Sequence, residues 1–171
     1  MTRKASESRP SIVGMGPIGE TIAQRAAAFD MPIRDSSRQL KQDLLCGFEP
    51  SSVKLATWAG ALIVGVLGRE ETQWLIDADI LRALGHRGLL INVGRGSADS
   101  EVALIQTLAS GGIRGAGLDV FADEPRVPKE LQGLPNVVLT PHIARSMWQP
   151  REVMSQLVVE NVRAFELGQR F

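Results

Sequence analysis

A single cysteine, Cys46, in 171 residues excludes an internal disulfide. With no His-rich motif beside it, it reads as a small buried or half-buried apolar residue rather than a nucleophile. Net charge is missing too: nineteen Lys and Arg cancel nineteen Asp and Glu. A chain with so little net field is not expected to take nucleic acid or an anionic membrane surface as its main partner. Nor is there a run long enough to cross a bilayer. The longest apolar stretch, WAGALIVGVL from Trp58 to Leu67, falls well short of the ~20 residues a spanning helix needs and runs into GREE. The basic start MTRKASESRP is followed by no apolar segment, so it is not a secretory signal, and a soluble cytoplasmic protein is expected. With only His86 and His142, and no His/Cys cluster, no metal site is expected. No repeat or low-complexity segment is present.

What the chain does have is hydrophobic content, 44%, enough for one domain with its own core. Short apolar runs alternate with amphipathic segments. SIVG, MPIR, ALIVGVL, GLLINV, GAGLDV and NVVLT read as strands. PIGETIAQRAAAF, SSVKLATWAG, DADILRALG, SEVALIQTLASGG and REVMSQLVVENVRAFELG read as helices, opened by Pro17, Ser51 or Ser52, an Asp and Ser100. This alternation predicts an α/β fold, a doubly wound parallel sheet of Rossmann type over 11–171, after an irregular stretch at 1–10. SSRQLKQDLLCGFEP and ADEPRVPKELQGLP are the least regular segments, the second a surface loop. His86 is read as a turn residue; Trp58 and Trp74 are expected to pack, and Trp148 to pack or wall a pocket.

The stretch SIVGMGPIGE carries Gly14, Gly16 and Gly19 with the spacing of a dinucleotide-binding turn. The first glycine allows the tight turn off the strand, the second lets backbone approach a pyrophosphate, and the third lets the helix pack closely on the sheet. Backbone N–H groups at the helix start, including that of Ile18, face the phosphates, although Pro17 has none to give. Such a triplet alone is weak evidence; its place between strand and helix favours a nucleotide site. An NAD site wants a carboxylate at the end of the second strand. In MPIRDSSRQ, Asp35 comes too early, and Ser37 with Arg38 stands at the strand end. A hydroxyl beside a guanidinium suits a 2′-phosphate, so NADP is expected, with NAD the alternative.

The second half places ionisable groups at successive strand ends: Arg95 in INVGRG, Asp119 and Glu124 in GLDVFADEP, His142 in LTPHIA. Sheets of this kind build their sites there, so these residues are expected to converge on one crevice. The set fits carbonyl reduction. Arg95 would hold a keto acid by its carboxylate in a bidentate pair. His142 would give the ketone oxygen a proton as hydride arrives, and Glu124 beside it would favour the imidazolium. Against this stand plainer readings: a surface Arg, a loop carboxylate and a structural His.

IVGMGPIG, LLINVGRGSADSEVALIQTLASGGIRGAGLDVFADEP and LPNVVLTPHIA together resemble the D-isomer-specific 2-hydroxyacid dehydrogenases, from about Ile12 to the last helix. By that resemblance Arg95, Glu124 and His142 match the catalytic trio, and Asp119 the residue near the nicotinamide carboxamide. Pro17, Ile18, Val93 and Gly94 match positions lining the cofactor, and Thr72 is placed against it as well. MPIRDSSR and GFEPSSVKLATWAGALIVGVLG look most like the NADP-preferring glyoxylate/hydroxypyruvate reductases. The substrate implied is a small 2-keto or 2-hydroxy acid.

The resemblance also marks departures. The family's second lobe, which precedes the glycine loop and helps bind the substrate carboxylate, has no counterpart in MTRKASESRP. The long helix that leads into the nucleotide domain is likewise absent. Pro10 stands where the family has apolar residues, and Arg145 and Trp148 where small or polar ones are commoner. The chain is expected either to retain turnover much below that of a complete enzyme or to gain the lobe from a homodimer or a partner chain. The alternatives are a non-catalytic NADP(H)-binding module and a truncated remnant.

Overall fold

The alternation of short buried runs with amphipathic segments leads to a single parallel sheet. The computed structural model describes residues 8–38, 46–143 and 148–169. It divides into two compact units, Met1–Thr140 and Pro141–Phe171. The first contains the whole sheet: β1 (Pro10–Val13), β2 (Arg34–Ser36), β3 (Gly47–Phe48), β4 (Ala61–Val64), β5 (Leu89–Asn92), β6 (Gly115–Leu118) and β7 (Val137–Leu139). The order is β3-β2-β1-β4-β5-β6-β7, and every pair is parallel. The order reverses between β1 and β4, where sheets of this class open a ligand crevice.

Successive residues of β1 point to opposite faces, and each finds a core. Val13 joins Leu62, Val64, Leu90 and Leu118 in the larger cluster. Helices α2 (Ser52–Trp58), α3 (Ala78–Leu84), α4 (Glu101–Ala109) and α5 (Lys129–Gln132) close it with Leu55, Leu81, Leu104 and Leu131. Ile12 joins Met15, Ile33 and Ala23 of α1 (Pro17–Ala27) in the smaller. Burying each large aliphatic side chain contributes about 1.5–3 kcal/mol, so the larger cluster supplies most of the cohesion. The second unit contains α6 (Trp148–Glu166).

Local chemistry sets the boundaries. Ser51 caps α2 by accepting from the Lys54 N–H, and Asp77 caps α3 by accepting from the Asp79 and Ile80 N–H groups. Gly85, at φ +71°, ends α3. Ser100 holds the N-cap position of α4, but its side chain makes no capping bond.

Several expectations need correction. β1 begins at Pro10, inside the stretch expected to be irregular. β2 lies at Arg34–Ser36 rather than over MPIR, because Pro32 has no N–H to enter a ladder. Gly47 and Phe48, within a segment read as irregular, pair with Arg34 and Asp35 as a seventh strand. The ADEPRVPKELQGLP loop holds the single-turn α5, anchored by the buried Leu131. Trp74 does not pack: it is 63% exposed, at φ +53°. Trp58 sits under the Arg34 guanidinium at 4.4 Å and that of Arg9 at 5.5 Å. His86 is exposed in a turn. Arg145 and the side chain of Trp148 lie outside the described residues.

Candidate active site and cofactor cleft

The loops leaving the carboxyl ends of β1, β4 and β5 close tightly on one another. Gly14, at φ +95°, has no room for a side chain: a Cβ would meet Val66 Cγ1 at 2.8 Å. Its N–H donates to the Ser36 carbonyl at 3.0 Å. A Cβ on Gly94 would meet the Val66 carbonyl oxygen at 2.7 Å, and one on Gly19 the Gly14 carbonyl oxygen at 2.4 Å. Gly16 differs. A Cβ there would meet nothing within 4 Å, and its φ of −85° suits any residue. The fold itself does not require glycine at 16, whereas a ligand lying on the backbone would.

Gly16 is also the N-cap of α1 and offers no side-chain cap, so the first N–H groups of an 11-residue helix are left for another acceptor. Pro17 and Ile18 follow, both exposed. These features fit a dinucleotide pyrophosphate. At the end of β2, Asp35 is buried within the strand, where its carboxylate accepts from Ser37 Oγ at 2.9 Å and Cys46 Sγ at 3.4 Å. Ser37 and the exposed Arg38 lie just past the strand. Burial, and then the neighbouring Asp35, push the Cys46 thiol up to about 11, which keeps it protonated and poorly nucleophilic near neutral pH.

After β4, the Thr72 hydroxyl donates to the Leu67 carbonyl at 2.6 Å and accepts from the Arg69 N–H at 3.0 Å, closing the loop. After β5, Val93 is half-buried and Gly94 buried, while Arg95 is exposed and its Nη1 donates to the Gly94 carbonyl at 2.7 Å. Gly68 lies against the Arg95 stem: a Cβ there would come within 3.1 Å of Arg95 Cγ.

Two residues missed in the sequence shape this loop. Asn92, fully buried at the end of β5, accepts from the Gly94 N–H at 2.9 Å through Oδ1. Its Nδ2 donates to the Arg95 carbonyl at 3.1 Å and to Asp99 Oδ2 at 2.8 Å. Asp99, 3% exposed, leaves Oδ1 without a partner. Burial drives its carboxyl up to about 7, the Asn92 bond opposes this, and the Glu101 charge adds to it. The signal was available in LLINV, where a polar side chain ends an otherwise apolar buried strand.

After β6, Asp119 is buried and accepts from Thr140 Oγ1 at 2.6 Å. Glu124 is exposed, and its Oε1 accepts from the Phe121 N–H at 3.1 Å. The Arg95 and Glu124 loops meet directly. A Cβ on Gly96 would fall 2.0 Å from the Phe121 carbonyl carbon. The structure therefore brings the Arg95 and Glu124 segments together. His142 belongs to the second unit, half-buried at φ +52°.

Residues 1–144 match the family model for the D-isomer specific 2-hydroxyacid dehydrogenase, NAD binding domain. The chain belongs to this dehydrogenase family. It is 43% identical over 168 residues to glyoxylate/hydroxypyruvate reductase A of Arabidopsis thaliana, covering 98% of this chain and 54% of that protein. Hydroxyphenylpyruvate reductase of Plectranthus scutellarioides is equally similar, at 43% over 168 residues with the same coverage. The NADPH-dependent glyoxylate/hydroxypyruvate reductase of Sinorhizobium meliloti, solved with NADP and malonate, superposes with a TM-score of 0.89 at 44% identity. That match covers 92% of this chain and 50% of that one. The chain thus spans about half the length of the relatives it matches. Among the described residues, no helix is long and apolar enough to cross a membrane.

Two expectations follow for this domain. Gly16→Ala should cost less than about 1 kcal/mol of stability, the scale of an N-cap change, yet weaken dinucleotide binding about tenfold or more by occupying the approach to the pyrophosphate. Gly19→Ala should damage folding as well. Thermal melts beside calorimetric titration separate the two, and undiminished binding by Gly16→Ala would remove the ligand reading of that glycine.

The second concerns pH. Asp99 in the folded protein holds its proton up to about 7, against 3.8 when unperturbed. The folded state therefore binds more protons between those values, and stability falls as pH rises from about 4 to about 7. Each unit is worth ~1.4 kcal/mol, so the loss amounts to a few kcal/mol. Asp99→Asn should flatten that slope in urea melts run from pH 4 to 8; an unchanged slope would assign it to other groups.

Proposed function

We propose that this chain forms the dinucleotide-binding and catalytic-loop part of an NADP(H)-dependent reductase of small 2-keto acids, such as glyoxylate or hydroxypyruvate. One observation carries the reading. The Arg95 and Glu124 loops pack against each other at the carboxyl edge of the sheet that also holds the Gly14–Gly19 turn. The activities of the relatives support it, and their variety at equal identity leaves the keto acid to experiment.

In this reading Gly14, Gly16, Pro17, Ile18 and Gly19 cradle the pyrophosphate, and Ser37 with Arg38 takes the 2′-phosphate of NADP(H). Thr72, Val93 and Gly94 line the cofactor, and Asp119 sits by its carboxamide. NADPH supplies the hydride. Arg95 exchanges its bond to the Gly94 carbonyl for a bidentate pair with the substrate carboxylate, which fixes the keto carbon. His142 gives a proton to the ketone oxygen, and Glu124 favours the charged imidazole that supplies it. A homodimer, or a partner chain contributing a substrate lobe, is part of the same proposal.

Arg38→Ala should weaken NADPH binding about tenfold or more, as expected for a lost charge-assisted bond, and leave NADH nearly unaffected. Fluorescence titration with both cofactors is the check, and equal losses would reject the 2′-phosphate assignment. For catalysis, NADPH oxidation by the 171-residue chain is followed with glyoxylate and hydroxypyruvate. His142→Ala should abolish turnover at nearly unchanged cofactor affinity. An active alanine variant would exclude that role. No turnover by the unaltered chain at high concentration would leave a module that binds NADP(H) without reducing a substrate.

A further inference from the structure

We propose that Asp99, acting through the Asn92 side chain, is a positioning residue for Arg95. The inference rests on the reading of Arg95 as the substrate-carboxylate anchor, and its geometry is separate from that role. A side-chain amide has one accepting and one donating end, and a buried one must have both satisfied. Asn92 Oδ1 takes the Gly94 N–H, and Nδ2 serves the Arg95 carbonyl and Asp99 Oδ2. Turned over, the amide would set N–H against N–H at Gly94 and oxygen against oxygen at Arg95 and Asp99. Asp99 Oδ2 thus joins the Gly94 N–H and the Arg95 carbonyl in setting which way Asn92 faces.

The consequence reaches Arg95 through the backbone. The peptide N–H entering Gly94 and the carbonyl leaving Arg95 are both held by the same amide, so the Gly94–Arg95 peptide between them has its orientation set. The carbonyl of that peptide is the one on which Arg95 Nη1 rests at 2.7 Å. Other backbone restraints on this loop are the Val93 N–H bond to the Val64 carbonyl at 3.2 Å and bonds on its far side. Ala98 donates to the Arg95 carbonyl at 3.1 Å, and Ile76 exchanges bonds with Ala98 and Ser100. Among the described residues, Asn92 is the side chain that ties Gly94 and Arg95 back to β5.

Asp99 is an expensive way to satisfy one amide. It is buried and keeps Oδ1 unpartnered, a cost that an apolar residue of similar size would avoid. Such a residue would leave the Asn92 Nδ2 with one acceptor fewer and the amide held by its loop bonds alone. The acid thus trades stability for a fixed loop, at the point where a guanidinium must meet a planar carboxylate within a narrow range of angles.

The test is made on the full 171-residue chain, labelled with 15N. In the unaltered protein the Asn92 side-chain amide protons should be slow to exchange and give contacts to the Asp99 segment. Free rotation of that amide would overturn the proposal without any variant being made. In Asp99→Leu, the Gly94 amide should exchange about tenfold or more faster relative to Leu90 of β5, as expected for local opening, and Arg95 Nε should become more mobile. Asp99→Asn, which retains an acceptor for Asn92, should keep both near the unaltered values. Unchanged Gly94 exchange in Asp99→Leu, uniform loss of protection across the sheet, or Asp99→Asn behaving like Asp99→Leu would each overturn it. A separate arm titrates oxalate into the NADP-loaded chain and into Arg95→Ala. Equal oxalate binding by the two would overturn the carboxylate reading of Arg95, and the exchange data would still decide whether Asp99 positions the loop.

Discussion

Val66 is the residue on which the crevice closes. The turn after β1 reaches its side chain through Gly14, and the turn after β5 reaches its backbone through Gly94. Either glycine given a Cβ would force one loop away from the segment that follows β4. Those three loops lie around the place where the strand order reverses, so their contact determines the floor of any ligand site there. Packing density is the constraint. The backbones approach one another because side chains have been removed, and the polar groups freed by this must find partners in the same small volume.

That demand accounts for where the fold buries its polar side chains. Ser11 apart, the buried polar residues among those described are Asp35, Asn92, Asp99 and Asp119, each in or beside a carboxyl-end loop. Asn92 and Asp119 are joined as well, since the Asp119 N–H donates to the Asn92 carbonyl. Asp35 gathers Ser37 and Cys46 in the same way at the end of β2. The amino edge is organised differently, with Arg9 and Arg34 laid on the Trp58 ring. Apolar burial holds the sheet together, and polar burial shapes its carboxyl edge.

The sheet and most of its helices were legible because a buried parallel strand leaves a continuous apolar run, as ALIV and LLIN do. Boundaries were legible where a residue has one physical job, such as Asp77 at a helix start or Gly85 at its end. β3 was not, because two exposed residues, Gly47 and Phe48, carry no periodicity; their pairing depends on the neighbouring β2. α5 was missed for a related reason: a single turn between prolines is set by Leu131 entering the core, a tertiary fact. Trp74 misled because size and apolarity predict burial, while its backbone is governed by the Trp74 N–H bond to the Ser97 carbonyl. The ionisable residues at the strand ends could be read from motif spacing. Asn92 stands out as a polar end to an apolar run, but its pairing with Asp99 could not be read, because hydrogen-bond partners seven residues apart across a loop leave no repeating pattern.

The glycines show how a motif mixes two kinds of requirement. Gly14, Gly19 and Gly94 are demanded by the protein's own atoms, which stand where a side chain would go. A sequence carrying only these would identify the fold and nothing more. Gly16 has open space beside it and an unexceptional backbone, so no internal contact explains why a larger residue is absent. In the proposed reading the cause is external: a dinucleotide pyrophosphate would come closer to that backbone than a side chain permits, at a helix start that lacks a side-chain cap. The same division separates Arg95 from its surroundings. Asn92 and Asp99 are buried and constrained by what they bond, whereas Arg95 is exposed and bonded to a carbonyl it can leave. Residues whose identity the fold does not demand, held in place by residues it constrains tightly, are the ones to which the proposed function assigns ligand contact.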